Sequence, residues 1–310
     1  MRMKPGRPDL GPLASLFDVP SAADGPAVTF LGVSTLLFDD GEHAVLTDGF
    51  FSRPSLLKVG LGRIAPDAGR IGSALARLGL DDERSRLRAV VPVHTHFDHA
   101  LDSGVVAQRT GADLVGSESA AYVGRGAGLP DDRIHVVTPG APVELGSFTL
   151  TFVESDHCPP DRYPGRISSP VVPPVRAAAY RCGEAWSIHV GHTSGRTALV
   201  QGSAGFVPGA LAGMSADVAY LGVGQLGVQD EDHLRAYWAE TVTAVGARTV
   251  VLTHWDDFFR PLDRPLRALP YAGDDLDVTL RVLGELAAEQ RVGLHLPTVW
   301  RGEDPWSARA

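Results

Sequence analysis

Val91-Pro-Val-His94-Thr-His96-Phe-Asp98-His99-Ala-Leu-Asp102-Ser103 is the most informative stretch of the chain. Its histidines and Asp98 follow directly on the apolar run 87–93, which is typical of a buried strand. Residues 100–109 favour a helix, so the cluster lies on a strand-to-helix turn. Imidazole and carboxylate groups suit zinc, iron or manganese, and this spacing offers two adjacent ligand sets. The alternative is a polar turn that happens to be rich in histidine, and the ordered spacing favours the metal interpretation.

The cluster resembles the hallmark His-x-His-x-Asp-His of the metallo-β-lactamase superfamily, which also follows a strand. The resemblance extends over residues 27–297, and the segments that begin at Val28 and Val45 look like the first strands of that superfamily. Within it, the chain is most similar to the branch of ascorbate-phosphate lactonases and N-acyl-phosphatidylethanolamine phospholipases. That branch usually has Gly-His-Ser/Thr near its start, whereas this chain has Gly32-Val33-Ser34.

Composition sets the class of protein. The chain has 310 residues, 44% of them hydrophobic, and a net charge of -9. Such a charge argues against a nucleic-acid-binding surface. With only Cys158 and Cys182, and with neither a signal peptide nor an apolar run of membrane-spanning length, we expect a cytoplasmic protein that is not inserted in a membrane. The expected partner is a small-molecule substrate, and association into a homo-oligomer is left open.

Alternating strand and helix patterns predict an α/β protein. Strands are predicted at 28–32, 35–39, 43–47, 87–93, 112–116, 134–137, 142–145, 148–154, 178–182, 186–190, 218–222 and 250–253. The main helices are predicted at 71–80, 100–109, 231–245 and 276–290. The resemblance implies a four-layer αββα sandwich for residues 26–300, between an N-terminal arm (1–25) and a C-terminal tail (301–310). The long segment 50–71 is either a rim or lid of a site or surface padding.

Two more histidines follow predicted strands. His157 and His254 stand where the resemblance implies the remaining ligands. It implies one metal held by His94, His96 and His157, and a second held by Asp98, His99 and His254. Asp48 and Asp156 are predicted to orient ligand histidines by hydrogen bonds.

The resemblance also implies a bridging aspartate, in Gly-Asp-Thr after a strand, but the chain reads Gly191-His192-Thr193. We therefore predict His192 at the bridging position. A neutral imidazole cannot place one oxygen on both ions, so either water or hydroxide is the only bridge, or one site is weak or empty. His189 and Cys158 are further metal-ligand candidates, and a packed histidine and a buried thiol are their alternatives. Gly202-Ser203-Ala204-Gly205 lacks the context of a nucleophilic serine.

A proline-rich loop, 159–174, begins just after His157 and is expected to overhang the metals. Arg162, Tyr163 and Arg166 are its predicted substrate contacts, since arginine suits phosphate or carboxylate. The predicted function is a hydrolase that uses hydroxide on one or two ions, zinc first and manganese or iron as alternatives. Its substrate would be a lactone or phosphodiester, and Asp98 would also accept a proton. An iron-dependent redox enzyme and an inactive metal-binding or scaffold protein are the rival predictions.

Overall fold

The computed structural model describes residues 4–82 and 85–308. Within these residues the strands, in chain order, are β1 (Ala27–Phe30), β2 (Leu36–Asp39), β3 (Ala44–Thr47), β4 (Leu87–Val91), β5 (Asp113–Gly116), β6 (Ile134–Val136), β7 (Pro142–Leu145), β8 (Phe148–Ser155), β9 (Ala185–His192), β10 (Thr197–Gln201), β11 (Val218–Gly222), β12 (Thr249–Thr253), β13 (Gly293–His295) and β14 (Gly302–Glu303). The α-helices are α1 (Leu56–Leu61), α2 (Ala68–Leu78), α3 (Phe97–Ala100), α4 (Ser103–Thr110), α5 (Glu118–Gly126), α6 (Glu231–Trp238) and α7 (Leu276–Gln290). A π-helical segment, Ala239–Thr243, continues α6.

The strands form two sheets of seven in the described part of the chain. Their orders are β14-β1-β2-β3-β4-β5-β6 and β13-β12-β11-β10-β9-β8-β7. One buried core joins the inner faces of both sheets, where Phe38 packs edge-on against Tyr220, and extends to α6 and α7 on the far side of the second sheet. A second core holds α2 and α4 against the outer face of the first sheet. The predicted αββα sandwich is confirmed.

The direction of the strands positions the site. β9 is antiparallel to both β8 and β10, and β10, β11 and β12 are mutually parallel. β8, β10, β11 and β12 therefore end at one edge of the second sheet, whereas β9 begins there. In the first sheet β3 and β4 are also parallel. Residues that directly follow these strands can converge at that edge, as ligand-binding residues do in α/β sheets.

Several details differ from the sequence-based prediction. Residues 178–182 form no strand, and the 3-10 turn Ala177–Ala179 stands at their start. β10 was not predicted, although the polar turn at 193–196 separates it from β9. Segment 50–71 contains α1, whose Leu56, Leu57 and Leu61 side chains are exposed. The predicted tail supplies β14, which pairs with β1.

The N-terminal arm is part of the packed structure. Leu10, Leu13 and Phe17 lie against the main core, and Ser21 forms an isolated bridge with Glu303. Among the described residues, none of the helices is long and apolar enough to cross a membrane.

Candidate metal centre

The first ligand cluster consists of three histidines. His94 and His96 follow β4, and His157 follows β8 by two residues. One ring nitrogen from each of them lies within 4.8 Å of the others. The ring centroids are 4.6–4.9 Å apart and the rings are nearly perpendicular to one another. This arrangement matches the prediction for the first metal.

The second cluster consists of Asp98, His99 and His254, with ligand atoms again within 4.8 Å of one another. Asp98 and His99 belong to α3, and His254 follows β12. His254 has a left-handed backbone (φ 59°), and its N–H donates to the carbonyl of Val33 at 2.7 Å. Asp98 Oδ2 lies 3.5 Å from His254 Nε2 and 3.9 Å from His99 Nε2. The two clusters adjoin, since the ring centroids of His94 and His99 are 3.9 Å apart.

Several ring nitrogens in the clusters are buried without a hydrogen-bond partner in the described part of the chain. They are Nε2 of His94, His96 and His99 and Nδ1 of His254. Such groups are costly unless something binds them. A metal ion would satisfy the Nε2 atoms of His94, His96 and His99, because neutral imidazole is a metal ligand. The residues therefore fit a metal centre.

Electrostatics keep three of these donors, His94, His157 and Asp98, ready to bind a cation. Burial, and then the charges of neighbouring histidines, hold the pKa of His94 well below its usual value. Burial, followed by the charge of His96, lowers the pKa of His157 to about 4. Burial would raise the pKa of Asp98, but the charge of His99 and the hydrogen bond with His254 outweigh it and hold that pKa below its usual range. At neutral pH, His94 and His157 are neutral and Asp98 is anionic.

Fixed partners orient two of the histidines, His99 and His157. His99 Nδ1 lies 2.7 Å from Oδ2 of the buried Asp48, and His157 Nδ1 lies 2.7 Å from the carbonyl oxygen of Cys158. Such bonds fix the tautomer that leaves the other nitrogen free for a metal. His96 Nε2 lies 3.1 Å from Asp161 Oδ1 without being aligned for a hydrogen bond. The predicted role of Asp48 thus has the geometry it requires.

A cavity of about 670 Å³ opens onto both clusters, and His96, Asp98, His157 and His254 line it. Apolar side chains, including Leu56, Phe97, Phe258, Phe259 and Leu269, form much of its wall. Of the predicted substrate contacts, Arg162 and Tyr163 line this cavity.

Arg166 does not line the cavity. Its guanidinium lies 3.0 Å from Glu184, and its side chain is 76% exposed. Its predicted substrate contact is wrong, because Arg166 lies outside the wall of the cavity and pairs with Glu184.

Comparisons with known proteins found similarity to a relative in sequence and to solved structures in fold. No protein-family model matches the chain. A UPF0173 metal-dependent hydrolase of Rhizobium etli is 27% identical over 131 residues, which are 42% of this chain. The match spans about half the length of that relative (47%).

Solved structures resemble almost the whole chain. The metallo-β-lactamase-fold protein YhfI of Bacillus subtilis superposes with a TM-score of 0.50 at 16% identity, covering 91% of this chain and 99% of YhfI. The chain has the metallo-β-lactamase fold. CmlA, a diiron β-hydroxylase of Streptomyces venezuelae, gives a TM-score of 0.55 at 12% identity, over 92% of this chain and 55% of CmlA. The resemblance inferred from the sequence is confirmed at the level of the fold.

Within this metallo-β-lactamase fold, His192 lies at the opposite edge of the second sheet from the metal centre. It ends β9 and pairs with Phe148, the first residue of β8, whereas His157 lies beyond the last. β8 is eight residues long, so about 23 Å of strand separates the two ends. His192 contacts Asp40 Oδ2 through Nε2 (3.1 Å) and Ser194 Oγ through Nδ1 (2.8 Å). The bridging position predicted for His192 is wrong, because β9 runs away from the centre.

Ser203 is a site residue that the sequence-based reasoning did not place at the centre. It follows β10, the strand that does end at the centre, and it lines the cavity. Its Oγ accepts the N–H of Cys158 at 2.9 Å, so it stands beside His157. Gly202-Ser203 after a strand was the available signal, and it was missed together with β10.

Asp156 is exposed, and its carboxylate makes no hydrogen bond to a candidate ligand among the described residues. The role predicted for it as an orienting residue is wrong, because the required hydrogen bond to a histidine is missing among the described residues. Asp161 is the carboxylate that approaches His96, and together with Cys182 it forms a third group of ligand atoms within 4.8 Å of one another. Its position in a loop, six residues after β8, gave no periodic signal.

The other metal-ligand candidates lie outside both clusters. Cys158 is buried in the main core, and burial raises the pKa of its thiol to about 12, so it acts as a small apolar group. His189 Nε2 lies 2.9 Å from the carbonyl oxygen of Ser215. For both residues the structural alternative is the one observed.

Proposed function

We propose that this protein is a metal-dependent hydrolase acting on a small ester-like substrate, a lactone or a phosphodiester. The observation that carries the proposal is the pair of ligand clusters with buried, unpartnered ring nitrogens that open into one cavity. The name of the Rhizobium etli relative, a metal-dependent hydrolase, supports it.

The residues have distinct roles in this proposal. His94, His96 and His157 would hold one ion, and Asp98, His99 and His254 a second. Zinc is the first choice of metal, with manganese and iron as alternatives. A bound ion of this kind lowers the pKa of a coordinated water to about 7 and polarises the oxygen under attack.

Asp98 has two functions in the proposed reaction. It is a ligand of the second cluster, and it lines the cavity in which the substrate would lie. Because its pKa is held below the usual range, it is ionised at neutral pH and can accept the proton of the attacking water. Asp48 keeps the neighbouring His99 in place through their 2.7 Å contact.

The cavity wall limits the substrate class. Arg7 and Arg267 both donate to Asp257, at 3.2 and 2.8 Å, so their charge is partly neutralised. Arg162 is exposed and forms no ion pair among the described residues, which leaves it available for an anionic group. With the apolar wall, this arrangement suits a substrate that combines an anionic group with a hydrocarbon part. Tyr163 lies next to His96 and would flank it.

An iron-dependent oxidation is the second candidate, and the likeness to a diiron β-hydroxylase favours it. Imidazole and carboxylate ligands suit iron as well as zinc. The two candidates differ in the metal that supports turnover and in their need for a reductant and oxygen. Hydrolysis by the zinc-loaded protein under anaerobic conditions would support the first candidate alone.

The test is a hydrolysis screen. Purified protein is assayed against lactones, phosphodiesters, thioesters and β-lactams, before and after exhaustive chelation and after readdition of each metal. We expect one class to be hydrolysed, activity to disappear with the metal, and Asp98→Asn to lower turnover by ~10²–10⁴-fold. Asp156→Asn, an exposed neighbour of the site, is the matched control and should keep full turnover. Activity that survives both chelation and Asp98→Asn would overturn the proposal, and a protein inactive on every class would favour the scaffold alternative.

A further inference from the structure

Ser203 bears on how tightly the proposed metal centre, on which this inference rests, would hold each of its two ions. We infer that the centre binds its two ions with unequal affinity, because the two ligand clusters together hold one carboxylate and Ser203, at the cavity wall beside His157, is neutral. Substitution of Ser203 by aspartate would make the weaker site tight.

The position of Ser203 is fixed from two sides. A Cβ on Gly202 would collide with the side chain of Val93, which directly precedes His94. A Cβ on Gly205 would collide with the backbone of Asp156 and His157. The loop 202–205 therefore packs tightly between the two segments that carry the ligands of the first cluster.

Charge then decides the affinities. The first cluster has three imidazoles and no carboxylate, and the second has two imidazoles and Asp98. Two dications would thus share one anionic ligand, in a site where burial strengthens their repulsion. The first ion to bind meets no such repulsion, whereas the second binds against the charge already present. The resemblance implies an aspartate that would offset this charge, and Ser203 cannot do so.

Ser203 also shows how an aspartate could fit. Its Oγ accepts the N–H of Cys158, and it is 7% exposed at the wall of the cavity. A carboxylate at this position could accept the same N–H with one oxygen and would add a negative charge at the cavity wall. Asparagine has nearly the same size and shape and would accept the same N–H, but it adds no charge.

The experiment is a zinc titration. Metal-depleted wild type, Ser203→Asp and Ser203→Asn are titrated with Zn²⁺ in competition with a chromophoric chelator, and the bound metal is counted by mass spectrometry. We expect wild type and Ser203→Asn to hold one ion tightly and a second at least tenfold more weakly. Ser203→Asp should hold two ions whose dissociation constants differ by less than tenfold. Melting temperatures of the three proteins establish that each is folded.

The outcomes separate this inference from the proposed function. Two ions of equal affinity in wild type would overturn the inference, whether or not Ser203→Asp folds, while leaving the hydrolase intact. The same gain in affinity from Ser203→Asn as from Ser203→Asp would also overturn it, since charge would then not be the cause. Wild type that binds no zinc would overturn the metal centre and this inference together. The titration needs no substrate, so a failed hydrolysis screen leaves its result interpretable.

Discussion

His99 Nδ1 and Asp48 Oδ2 are 2.7 Å apart, and both side chains are completely buried. The other oxygen of Asp48 accepts the N–H of Val93 at 2.9 Å, next to His94. One carboxylate therefore connects the segments that carry ligands of both clusters. Asp48 has a left-handed backbone (φ 54°), which aspartate and asparagine tolerate better than most residues.

The first prediction follows from this contact. Asp48→Asn should weaken zinc binding by about 10–100-fold, the usual effect of removing the partner of a ligand histidine. Asparagine can keep the backbone conformation and the bond from Val93, but it cannot stabilise the same His99 tautomer as a carboxylate does. Zinc titration measures the effect. Unchanged affinity in the folded variant would show that Asp48 has only a structural role.

The second prediction compares the effects of Asp156 and Asp161 on zinc binding. Asp161→Asn should weaken zinc binding, because Asp161 lies 3.1 Å from His96 Nε2, whereas Asp156→Asn should leave it unchanged. We expect an effect no larger than that of Asp48→Asn, since the Asp161 contact is not aligned for a hydrogen bond. The same titration compares the three variants. Equal losses for Asp156→Asn and Asp161→Asn would contradict this assignment.

The third prediction concerns the cluster formed by Asp40, Ser147 and His192 at the other end of the sandwich. Asp40 accepts hydrogen bonds from Ser147 and His192 and from the backbone of His43. Asp40→Asn should lower the free energy of unfolding by about 1–3 kcal/mol. Denaturant unfolding measures this loss, and the metal content should stay that of wild type because the cluster is remote from the centre. A loss of zinc in His192→Ala would contradict the placement of His192.

The pH dependence of that stability has a definite sign. Burial would raise the pKa of Asp40, but the hydrogen bonds from Ser147 and the backbone of His43 outweigh it and lower this pKa. A lowered pKa in the folded state stabilises the protein fully above the ordinary aspartate value of about 4, and this stability is lost as the pH falls through the folded value. The difference between wild type and Asp40→Asn should therefore shrink below pH ~4. A difference that grows on acidification would refute the mechanism.

The fourth prediction uses two arginines of the loop 159–174. Arg162 lines the cavity, whereas Arg166 pairs with Glu184 outside it. For an anionic substrate found in the screen, Arg162→Ala should raise KM by about tenfold, the lower end for a hydrogen bond to a charged group. Arg166→Ala should leave KM unchanged, and neither variant should affect a neutral analogue. Steady-state kinetics decide, and equal effects of both variants would exclude a direct contact of Arg162.

Much of the centre was predictable because its ligands obey a local rule. His94, His157 and His254 each follow a strand whose apolar pattern is clear in the sequence, and Asp98 and His99 open the next helix. Since parallel strands end at a common edge, residues after such strands converge without further information.

The errors arose where a local pattern does not contain the needed information. His192 also follows a strand, but β9 is antiparallel to its neighbours, and strand direction depends on long-range pairing. Ser203 was overlooked because β10, the strand that it follows, was not predicted. Arg7, in the N-terminal arm, lines the cavity and contacts Asp257, which lies 250 positions later in the sequence. Only the tertiary structure reveals such a contact.

The central claim is that the two clusters hold catalytic metal. It is tested most directly by measuring zinc content and hydrolysis in the same samples of wild type, His96→Ala, His254→Ala and His135→Ala. His96 belongs to the first cluster and His254 to the second. His135, an exposed histidine on β6 that belongs to neither cluster, is the control. We predict that His135→Ala keeps the metal and activity of wild type, and that both other variants lose bound ion and activity together. Full metal content and full activity in His96→Ala and His254→Ala would contradict the account.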